Sequence, residues 1–335
     1  MNGKKRIDLV TGATTGLGKL LIKRLIDKGD EVRVILQTHP SVSSEWKTLP
    51  PKVEIYVVDL TLINEADQQN LERACSGVDN IFHIAGAVYN YRYTSEQLLN
   101  VNAFGTENLL NACTNANKKS AQKVHVIFAS SSSVYGYRRP NEVLTEESQL
   151  KPGSPYSESK VIAEQILQSF SEANSNMDYT ILRLSTFYGE DYKSSFNKVF
   201  KLIESGKAMY VGDGKNHISL IHESEAADAM ILAYESKQSL NKVYNICDGI
   251  PYTVKELFTT VAKSLGVSPP SRGIPSALAR ITRRIIDINY DEYEFVASDR
   301  TISIEKAKKE LGFNPKTSIY KEGIQLLEEY KRSRQ

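Results

Sequence analysis

The sequence predicts a doubly wound α/β fold, in which helices cover both faces of a parallel sheet. Short apolar runs alternate with amphipathic stretches through the first half of the chain, and a glycine-rich turn follows the first run. Because strands that alternate with helices are joined by right-handed crossovers, they pair as a parallel sheet between two helical layers. After about residue 188 the alternation loosens, and we expect a smaller, mixed α/β part at the C-terminal side.

The apolar runs of the first half are the predicted strands. Each is too short for a helix and continuous rather than alternating, which is typical of strands buried on both faces. They cover residues 7–10, 32–36, 53–58, 80–84, 124–129 and 179–184. Apolar residues at helical spacing predict helices at 19–28, 106–116 and 157–173, and later at 196–205, 223–235, 254–265, 303–311 and 321–332.

The composition excludes several classes of protein. In 335 residues, 42 Lys and Arg nearly balance 40 Asp and Glu, so the net charge of +2 argues against a nucleic-acid partner. No apolar run approaches the roughly 20 residues that span a bilayer, so no membrane partner is expected. The basic start at residues 1–6 leads into a run too short for the apolar core of a signal peptide.

The cysteine and histidine patterns indicate a chain without structural metal. Cys75, Cys113 and Cys247 are odd in number and widely spaced, which suits neither a disulfide framework nor a zinc site. We therefore expect a cytoplasmic protein in a reducing environment. His217 and His222 have no further ligand cluster beside them, so no metal site is expected.

A glycine-rich turn carries the first chemical signal. Residues 10–18 read Val-Thr-Gly-Ala-Thr-Thr-Gly-Leu-Gly, after the first strand and at the start of the first helix. Gly12 permits the tight turn, Gly16 lets the backbone approach a pyrophosphate, and Gly18 allows the helix to pack closely on the strand. The helix N-terminus offers N–H groups and a positive dipole end to phosphates. The turn predicts a Rossmann-type dinucleotide site formed by Gly12, Thr14, Thr15, Gly16, Leu17 and Gly18.

The end of the second strand bears on the choice between NAD and NADP. It carries Gln37 and no acid, whereas an acid there would bind the adenosine ribose and disfavour NADP. No arginine replaces the acid, since Arg33 lies in mid-strand and could point inward, point outward or be structural. NADP is therefore favoured only slightly. Asp59, followed by Leu60, closes the third strand, where it either reaches the adenine amino group or caps a helix.

A serine, a tyrosine and a lysine form the predicted catalytic set. Residues 130–136 read Ser-Ser-Ser-Ser-Val-Tyr-Gly after the fifth strand, and Tyr156 follows Ser131 by 25 residues at the start of a helix. Tyr156 and Lys160 are four residues apart and share one helix face. An ammonium roughly 4 Å from the hydroxyl would favour phenolate by about 4 kcal/mol before losses. Such a tyrosine exchanges a proton with a carbinol while hydride moves to or from nicotinamide.

With these motifs the chain resembles the extended short-chain dehydrogenases/reductases, the NAD-dependent epimerase/dehydratase group. The resemblance spans about residues 7–330. It also rests on the sequences at 81–87 (IFHIAGA), 102–110 (NAFGTENLL), 182–183 (LR), 188–189 (YG) and 306–315 (KAKKELGFNP). It implies that Ser131 polarises the substrate oxygen and that Tyr156 is the acid/base. The further cofactor-binding residues that it implies are Ala85, Gly86, Ala87, Asn102, Tyr156, Lys160, Ser185 and Phe187.

The resemblance also divides the chain. We expect residues 1–188, with return segments near 217–248, to form the dinucleotide-binding domain, and residues 189–335 to bind mainly substrate. In the family, helices such as 106–116 and 157–173 form a dimer bundle, which implies a homodimer. A basic helix near Arg280 carries interleaved apolar residues, and we expect a core helix with one solvated face.

Departures from the family narrow the function. Extended members usually have glycine where Thr15 stands, and 4,6-dehydratases carry Asp-Glu where Ser132 and Ser133 stand, so dehydration is not expected. UDP-sugar epimerases tend to place an arginine near the position of His217, which supplies no fixed charge. The stretch at 298–303 is more similar to the reductase and hydroxysteroid-dehydrogenase side of the family.

We therefore expect an NAD(P)-dependent oxidoreductase that acts on a carbinol or ketone carbon of a small molecule. The alternative is a sugar-nucleotide epimerase of the UDP-sugar type with retained NAD. The third hypothesis is a non-catalytic nucleotide-sensing protein, but the intact set of Ser131, Tyr156 and Lys160 argues against it. The candidate substrate residues are Ser132, Tyr91 and His217.

Overall fold

The computed structural model describes residues 5–38, 45–61, 64–88, 93–120, 122–189, 193–282, 293, 296–322 and 328. Strands and helices alternate through the first two thirds of the chain. The strands are β1 (Ile7–Thr11), β2 (Glu31–Leu36), β3 (Val53–Val57), β4 (Asn80–His83), β5 (Val124–Ser131), β6 (Arg138–Leu144), β7 (Met177–Leu184), β8 (Thr186–Tyr188), β9 (Tyr210–Val211), β10 (His217–Ile218), β11 (Leu220–His222), β12 (Lys242–Ile246), β13 (Tyr252–Thr253), β14 (Gly273–Ile274) and β15 (Asp299–Ile302).

The helices connect these strands. They are α1 (Gly16–Asp27), α2 (Glu65–Cys75), α3 (Ser95–Leu99), α4 (Gly105–Asn117), α5 (Pro155–Ala173), α6 (Lys193–Glu204), α7 (Glu223–Glu235), α8 (Val254–Leu265), α9 (Ser276–Thr282) and α10 (Glu305–Leu311). A π-helical turn at Asn100–Phe104 joins α3 to α4, and a 3₁₀ turn at Ser132–Tyr135 follows β5.

A parallel sheet lies at the centre of the fold. Its strand order in the described residues is β12-β7-β5-β4-β1-β2-β3, and every neighbouring pair is parallel. The chain runs from β1 outward through β2 and β3, then returns to β4 on the other side of β1. Ligands of such sheets bind outside the carboxyl ends of the strands where the order reverses, here between β1 and β4. The predicted doubly wound sheet is confirmed, and β12 adds a strand from the expected return segment.

Two apolar layers hold the helices on the sheet. On one face Leu17, Leu21 and Met230 of α1 and α7 belong to a buried cluster with β1, β2 and β7 residues. On the other face Leu109 of α4 and Leu167 of α5 pack with α2. A third cluster, which includes Tyr188, Phe200, Ile218, Tyr252 and Phe258, forms the core of the C-terminal part.

Caps explain where two helices begin. The Thr15 side chain accepts from the Gly18 N–H, so α1 begins at Gly16 and not at residue 19. Ser154 and Ser157 form a capping box with proline at the first helical position, so α5 begins at Pro155. Helix α2 was not predicted, because its buried residues are confined to its last two turns at Leu71, Ala74 and Cys75.

The basic helix differs from the prediction. In α9, Ala279 is buried, but Leu278 is 48% exposed and Ile281 is 72% exposed. The described part of this helix therefore does not place its large apolar residues in the core, and residues 283–292 lie outside the described residues. Of the predicted helix at 321–332, all but residues 321, 322 and 328 lie outside them too. No helix in the described ranges is long and apolar enough to cross a membrane.

Candidate active site

The glycine-rich turn lies at the switch point of the sheet. Gly12 has a φ of +72°, and a Cβ on it would lie 2.8 Å from the Ala85 nitrogen, in the loop after β4. A Cβ on Gly18 would lie 2.3 Å from the Gly12 carbonyl oxygen. Gly18 therefore packs on the loop itself rather than on the strand as expected. Thr15 closes the turn, since its hydroxyl donates to the Gly12 carbonyl at 2.8 Å and accepts from the Gly18 N–H at 3.1 Å.

The start of α1 suits a phosphate group. Its first turn contains no acidic residue, so no side-chain carboxylate opposes the positive end of the helix dipole. Leu17 is buried in the core, which leaves only its backbone to face a ligand, and Gly16 is buried beside it. Thr14 is half-buried and Thr15 is exposed at the mouth of the turn.

At the end of β2, Gln37 and Asp59 form a pair. The Gln37 amide donates to the Asp59 carboxylate at 3.0 Å. Burial alone would raise the pKa of Asp59, but hydrogen bonds from Gln37 and Thr61 outweigh it and lower the pKa. The Leu60 carbonyl accepts from the Asn108 amide at 2.8 Å. Asp59 is thus an ionised acceptor at the edge where the adenine was expected.

Arg33 has a structural role. Its guanidinium donates to the carbonyl oxygens of Arg73, Ala74 and Ser76 at the end of α2, and it also pairs with Glu54. These contacts tie β2 to the C-terminus of α2, where a cation is favourable. Of the three alternatives left open for Arg33, the structure supports a structural role.

A buried histidine fixes the loop after β4. The His83 ring lies 2.7 Å from the Thr11 hydroxyl through Nδ1 and 2.8 Å from the Thr106 hydroxyl through Nε2. Burial lowers the pKa of His83 to about 3, and the nearby Lys160 charge adds to this effect, so the ring is neutral. The Thr11 hydroxyl also accepts from the Ile84 and Ala85 N–H groups. This network holds the loop that carries Ala85 and Gly86.

Asn102 supports the same loop from the π-helical turn. Its side chain accepts from the Ala87 N–H at 2.8 Å and donates to the Ala87 carbonyl and the Ser159 hydroxyl at 2.9 Å each. Asn102 is only 1% exposed. A Cβ on Gly86 would lie 2.9 Å from the Asn102 side-chain oxygen and 3.8 Å from Lys160 Nζ. Asn102 thus joins the loop to α5 through Ser159.

Lys160 lies at the carboxyl end of β5. Its Nζ donates to the Ala129 carbonyl at 2.7 Å and lies 4.3 Å above the Phe128 ring. The residue is 4% exposed, and burial lowers the pKa of Lys160 to about 8, although the nearby Glu164 opposes the shift. Tyr156 lies one turn earlier on α5 and is half-buried. Lys160 therefore lies beside the end of β5, and the helical spacing puts Tyr156 on the same face of α5.

A buried ion pair anchors this helix to the sheet. Both side chains of the Arg183–Glu164 pair are almost wholly buried, and Arg183 Nη2 lies 2.8 Å from Glu164 Oε2. The Ser130 hydroxyl donates to the same carboxylate. Arg183 Nη1 also donates to the Tyr135 hydroxyl at 2.8 Å, and Tyr135 donates to Asn245 at 2.7 Å. The network connects α5, β5, β7 and β12 beside Lys160.

Ser131 is the last residue of β5 and caps the 3₁₀ turn that follows. Its hydroxyl oxygen accepts from the Ser133 N–H at 3.2 Å and from the Ser133 hydroxyl at 2.9 Å. Ser132 is 1% exposed, and its carbonyl accepts from Arg300 at 3.2 Å. The predicted substrate residue Ser132 is thus buried, whereas Ser131 is only partly buried.

The remaining candidates are distributed around this centre. Ser185 follows β7 and is buried, and its hydroxyl has no hydrogen-bond partner among the described residues. Phe187 is half-buried on β8. His217 pairs with Asp299 at 3.1 Å, next to Arg300. Tyr91 lies outside the described residues.

Sequence reasoning missed four supporting residues. They are Glu164, Ser133, Arg300 and His83. Glu164 had an available signal, since it follows Lys160 by four residues and Tyr156 by eight on one helix face. Arg300 had none, because its acceptors are backbone carbonyls more than 160 residues away.

The described residues fit a nicotinamide dinucleotide. The cradle at Gly12 and Gly18 leaves no room for side chains, and the α1 N-terminus presents no acid to phosphates. The buried, unpartnered Ser185 hydroxyl offers a polar group at the carboxyl edge of the sheet. In the described ranges, no group of three His, Cys, Asp or Glu residues is placed to hold a metal ion.

Comparisons with known proteins agree with this geometry. The model of the NAD-dependent epimerase/dehydratase family matches residues 9–247. The chain is 28% identical over 244 residues to an N-acetyl-α-D-glucosaminyl-diphospho-ditrans,octacis-undecaprenol 4-epimerase of Escherichia coli O157:H7, covering 72% of each chain. It is 27% identical over 265 residues to a decarboxylating sterol-4-α-carboxylate 3-dehydrogenase of Dictyostelium discoideum, covering 77% of this chain and 76% of that one.

A solved structure extends the similarity over the whole fold. MoeE5 in complex with UDP-glucuronic acid and NAD superposes with a TM-score of 0.72 and 25% identity, covering 98% of this chain and 99% of that one. The predicted family and the expected oxidoreductase or epimerase chemistry are thereby confirmed. The chain belongs to the NAD-dependent epimerase/dehydratase family and is an NAD-dependent enzyme of the extended short-chain dehydrogenase/reductase type.

Proposed function

We propose that the enzyme interconverts a secondary alcohol and a ketone on a small molecule that carries no sugar diphosphate. The observation that carries the proposal is the position of Lys160. Its buried ammonium donates to the Ala129 carbonyl, two residues before Ser131 on β5, and Lys160 follows Tyr156 by one helical turn on α5. A charge held there favours the tyrosinate over the neutral phenol. The three side chains are the groups that a carbinol oxidation requires.

Each residue has a distinct role in the proposed reaction. Bound NAD supplies the hydride acceptor, or the donor when it is reduced. During oxidation the Tyr156 phenolate accepts the proton of the substrate hydroxyl, and during reduction the phenol returns a proton to the carbonyl oxygen. Ser131 donates a hydrogen bond to that same oxygen. Lys160 stabilises the phenolate, and together with Gly86 it would hold the nicotinamide ribose.

The basic residues near the expected substrate cleft favour a substrate without a diphosphate. His217 stands where UDP-sugar epimerases tend to have an arginine, and it is engaged by Asp299. Arg300 is buried and donates to the Ser132 and Gly136 carbonyls. Lys215 is exposed and lies 3.6 Å from Asp213. None of these three groups is an uncommitted guanidinium that would grip a diphosphate in a bidentate manner.

The second candidate is a sugar-diphosphate epimerase, in which the same residues remove and return one hydride. It is favoured by the whole-chain similarity to MoeE5, which was solved with UDP-glucuronic acid and NAD, and by the epimerase relative. Such an enzyme retains its NAD through the cycle, whereas a dehydrogenase exchanges it at each turnover.

For the cofactor, we propose a preference for NAD. The absence of an acid at the end of β2 is the reason to expect NADP. However, the ionised Asp59 lies 3.0 Å from Gln37 and opposes a 2′-phosphate nearby. Dissociation constants for NADH and NADPH, measured by calorimetry, test this preference.

We also propose a cytoplasmic homodimer. Phe104 is 45% exposed at the start of α4 and Ile162 is 36% exposed on α5, which suits burial against a second copy of these helices. The cysteines Cys75, Cys113 and Cys247 are buried and unpaired, as suits a reducing compartment. A monomeric mass by light scattering at micromolar concentration would contradict the dimer.

Measurements on a single preparation of the enzyme distinguish the dehydrogenase from the epimerase. The enzyme is purified without added nucleotide, denatured, and its released NAD is measured. It is then incubated with NAD and either a 3-hydroxysterol carboxylate, a set of aliphatic and aromatic secondary alcohols, or UDP-glucose and UDP-N-acetylglucosamine. NADH formation with an alcohol and little retained NAD support the dehydrogenase. Stoichiometric retained NAD, conversion of a UDP-sugar and no net formation of NADH would contradict the dehydrogenase and support the epimerase instead.

A further inference from the structure

We infer that Ser133 is a positioning residue that aims the Ser131 hydroxyl at the reacting oxygen, an inference that rests on the proposed role of Ser131. The two serines are in direct contact at the end of β5. The Ser133 hydroxyl donates to Ser131 Oγ at 2.9 Å, and the Ser133 backbone N–H donates to the same oxygen at 3.2 Å. Both donors come from one residue and converge on one atom of the catalytic set.

The number of hydrogen bonds that a hydroxyl group can make limits what Ser131 can bind. A serine hydroxyl has one proton to donate and two lone pairs that accept. Ser133 occupies both lone pairs of Ser131, so that Ser131 can bind a further group only as a donor. A substrate carbonyl oxygen or a carbinol oxygen accepts such a hydrogen bond. In addition, donors on an oxygen polarise its own O–H and strengthen the bond that it donates.

The turn that carries Ser133 is held firmly from the C-terminal part of the chain. Ser133 is 4% exposed, and its carbonyl accepts from the Gly136 N–H at 2.9 Å. Arg300 donates to the Ser132 and Gly136 carbonyls at 3.2 Å each, so its guanidinium bridges both ends of the turn. Arg300 also lies 4.9 Å from the Tyr137 ring centre. Ser133 therefore has a fixed backbone from which its side chain reaches Ser131.

The identity of residue 133 thus bears on the chemistry available at this site. Ser132 and Ser133 stand where 4,6-dehydratases of the family carry an acid and a base. Here the Ser133 side chain is engaged by Ser131 and the Ser132 carbonyl by Arg300. The position that performs elimination elsewhere in the family serves here to orient the serine that holds the oxygen.

A double-mutant cycle tests the inference. Ser133→Ala, Ser133→Thr, Ser131→Ala and Ser131→Ala/Ser133→Ala are assayed with whichever alcohol or UDP-sugar from the tests above the wild type converts fastest. We expect Ser133→Ala to lower kcat about tenfold, the rate equivalent of one hydrogen bond, with the Kd for NADH unchanged. Ser133→Thr, which keeps the hydroxyl, should recover most of the rate. In the Ser131→Ala background, Ser133→Ala should have no further effect, because its target is gone.

Two outcomes of the cycle would overturn the inference. Losses that multiply in the double variant would show that Ser133 acts independently of Ser131. A loss of rate matched by a lower melting temperature, and not recovered by threonine, would show a structural role only. Thermal unfolding of all four variants separates these cases.

A second arm needs no substrate. Crystal structures of the wild type and of Ser133→Ala with bound NADH, at about 1.5 Å resolution or better, report the Ser131 side-chain torsion. We expect a single Ser131 rotamer in the wild type and a different or divided rotamer in Ser133→Ala. An unchanged single rotamer would overturn the inference. If the wild type converts none of the compounds above, the proposed function fails, and this arm still decides whether Ser133 orients Ser131.

Discussion

The Glu164 carboxylate lies 2.8 Å from the Arg183 guanidinium, and both side chains are almost wholly excluded from solvent. The pair stands one helical turn beyond Lys160 and directly below the end of β5. Glu164 is also the nearby acid that opposes the lowering of the Lys160 pKa. One carboxylate therefore balances two buried cations, Arg183 through direct hydrogen bonds and Lys160 through its field.

Removing the charge of Glu164 should destabilise the fold. Glu164→Gln leaves the buried Arg183 without its counterion, a change that typically costs about 3–5 kcal/mol of unfolding free energy. Urea unfolding measures this loss. Glu158→Gln, on an exposed position of the same helix, is the matched control; it removes only a first-turn acid from the helix dipole and should change the unfolding free energy by no more than about 1 kcal/mol. Equal effects of the two variants would contradict the prediction.

Removing the Tyr156 hydroxyl should abolish turnover and spare cofactor binding. Tyr156→Phe deletes the group that exchanges the substrate proton, and general acid–base catalysis contributes about 10²–10⁴-fold. Initial rates and the Kd for NADH are measured on the same preparation. Turnover that persists at more than a few per cent of the wild-type rate would mean that Tyr156 is not the acid/base.

His83 should remain neutral with its proton on Nε2. The Thr106 hydroxyl donates to the Asn102 carbonyl at 2.6 Å, so it accepts from the ring, and Thr11 donates to Nδ1. Since burial lowers the pKa of His83 to about 3, the ring should not titrate between pH 5 and 8. Long-range ¹H–¹⁵N spectra, with the resonance assigned by His83→Asn, report the tautomer. A protonation step near pH 6.5 would contradict the network.

Filling the turn before α1 should weaken dinucleotide binding. A Cβ on Gly18 would lie 2.3 Å from the Gly12 carbonyl oxygen, so Gly18→Ala must displace the loop backbone. We expect NADH affinity to fall at least about tenfold, equivalent to 1.4 kcal/mol. Gly153→Ala is the control, because nothing lies within 4 Å of a Cβ there. Calorimetric titration of both variants checks the difference.

Asp8 should make the fold less stable as the pH rises. Burial raises the pKa of Asp8 to about 7, the Asp30 carboxylate adds to this, and a hydrogen bond from Asn80 opposes it. The folded state favours the protonated form of Asp8 more than the unfolded state does. The contribution of protonated Asp8 to the free energy of unfolding is therefore complete below pH 4 and is lost as the pH rises to about 7.

The matching variant is Asp8→Asn. It keeps an oxygen for Asn80 and removes the buried charge, so it should raise the unfolding free energy by about 2–4 kcal/mol at pH 8. At pH 4 it should change that free energy little. A gain of equal size at both pH values would show that the charge is not the cause.

Much of the fold could be predicted because its signals are local. The runs that became β1, β2 and β5 are short and mostly apolar, and the sequence located α1 and α5 although their caps, Thr15 and Ser154, begin each helix two or three residues earlier than predicted. Helix α2 escaped prediction because few of its residues are buried. The exposed Leu278 and Ile281 contradicted the expected core helix, since periodicity shows that a face is apolar and not that anything covers it.

By itself the sequence determined the doubly wound sheet and the glycine turn, and it predicted the set of Ser131, Tyr156 and Lys160, because each depends on spacing along one strand, turn or helix. Only the tertiary structure decided which groups support that set. Arg300 reaches the Ser132 carbonyl across 168 positions of sequence, and His83 joins Thr11 across 72. Such contacts depend on the direction and distance between packed elements, which residue order alone does not specify.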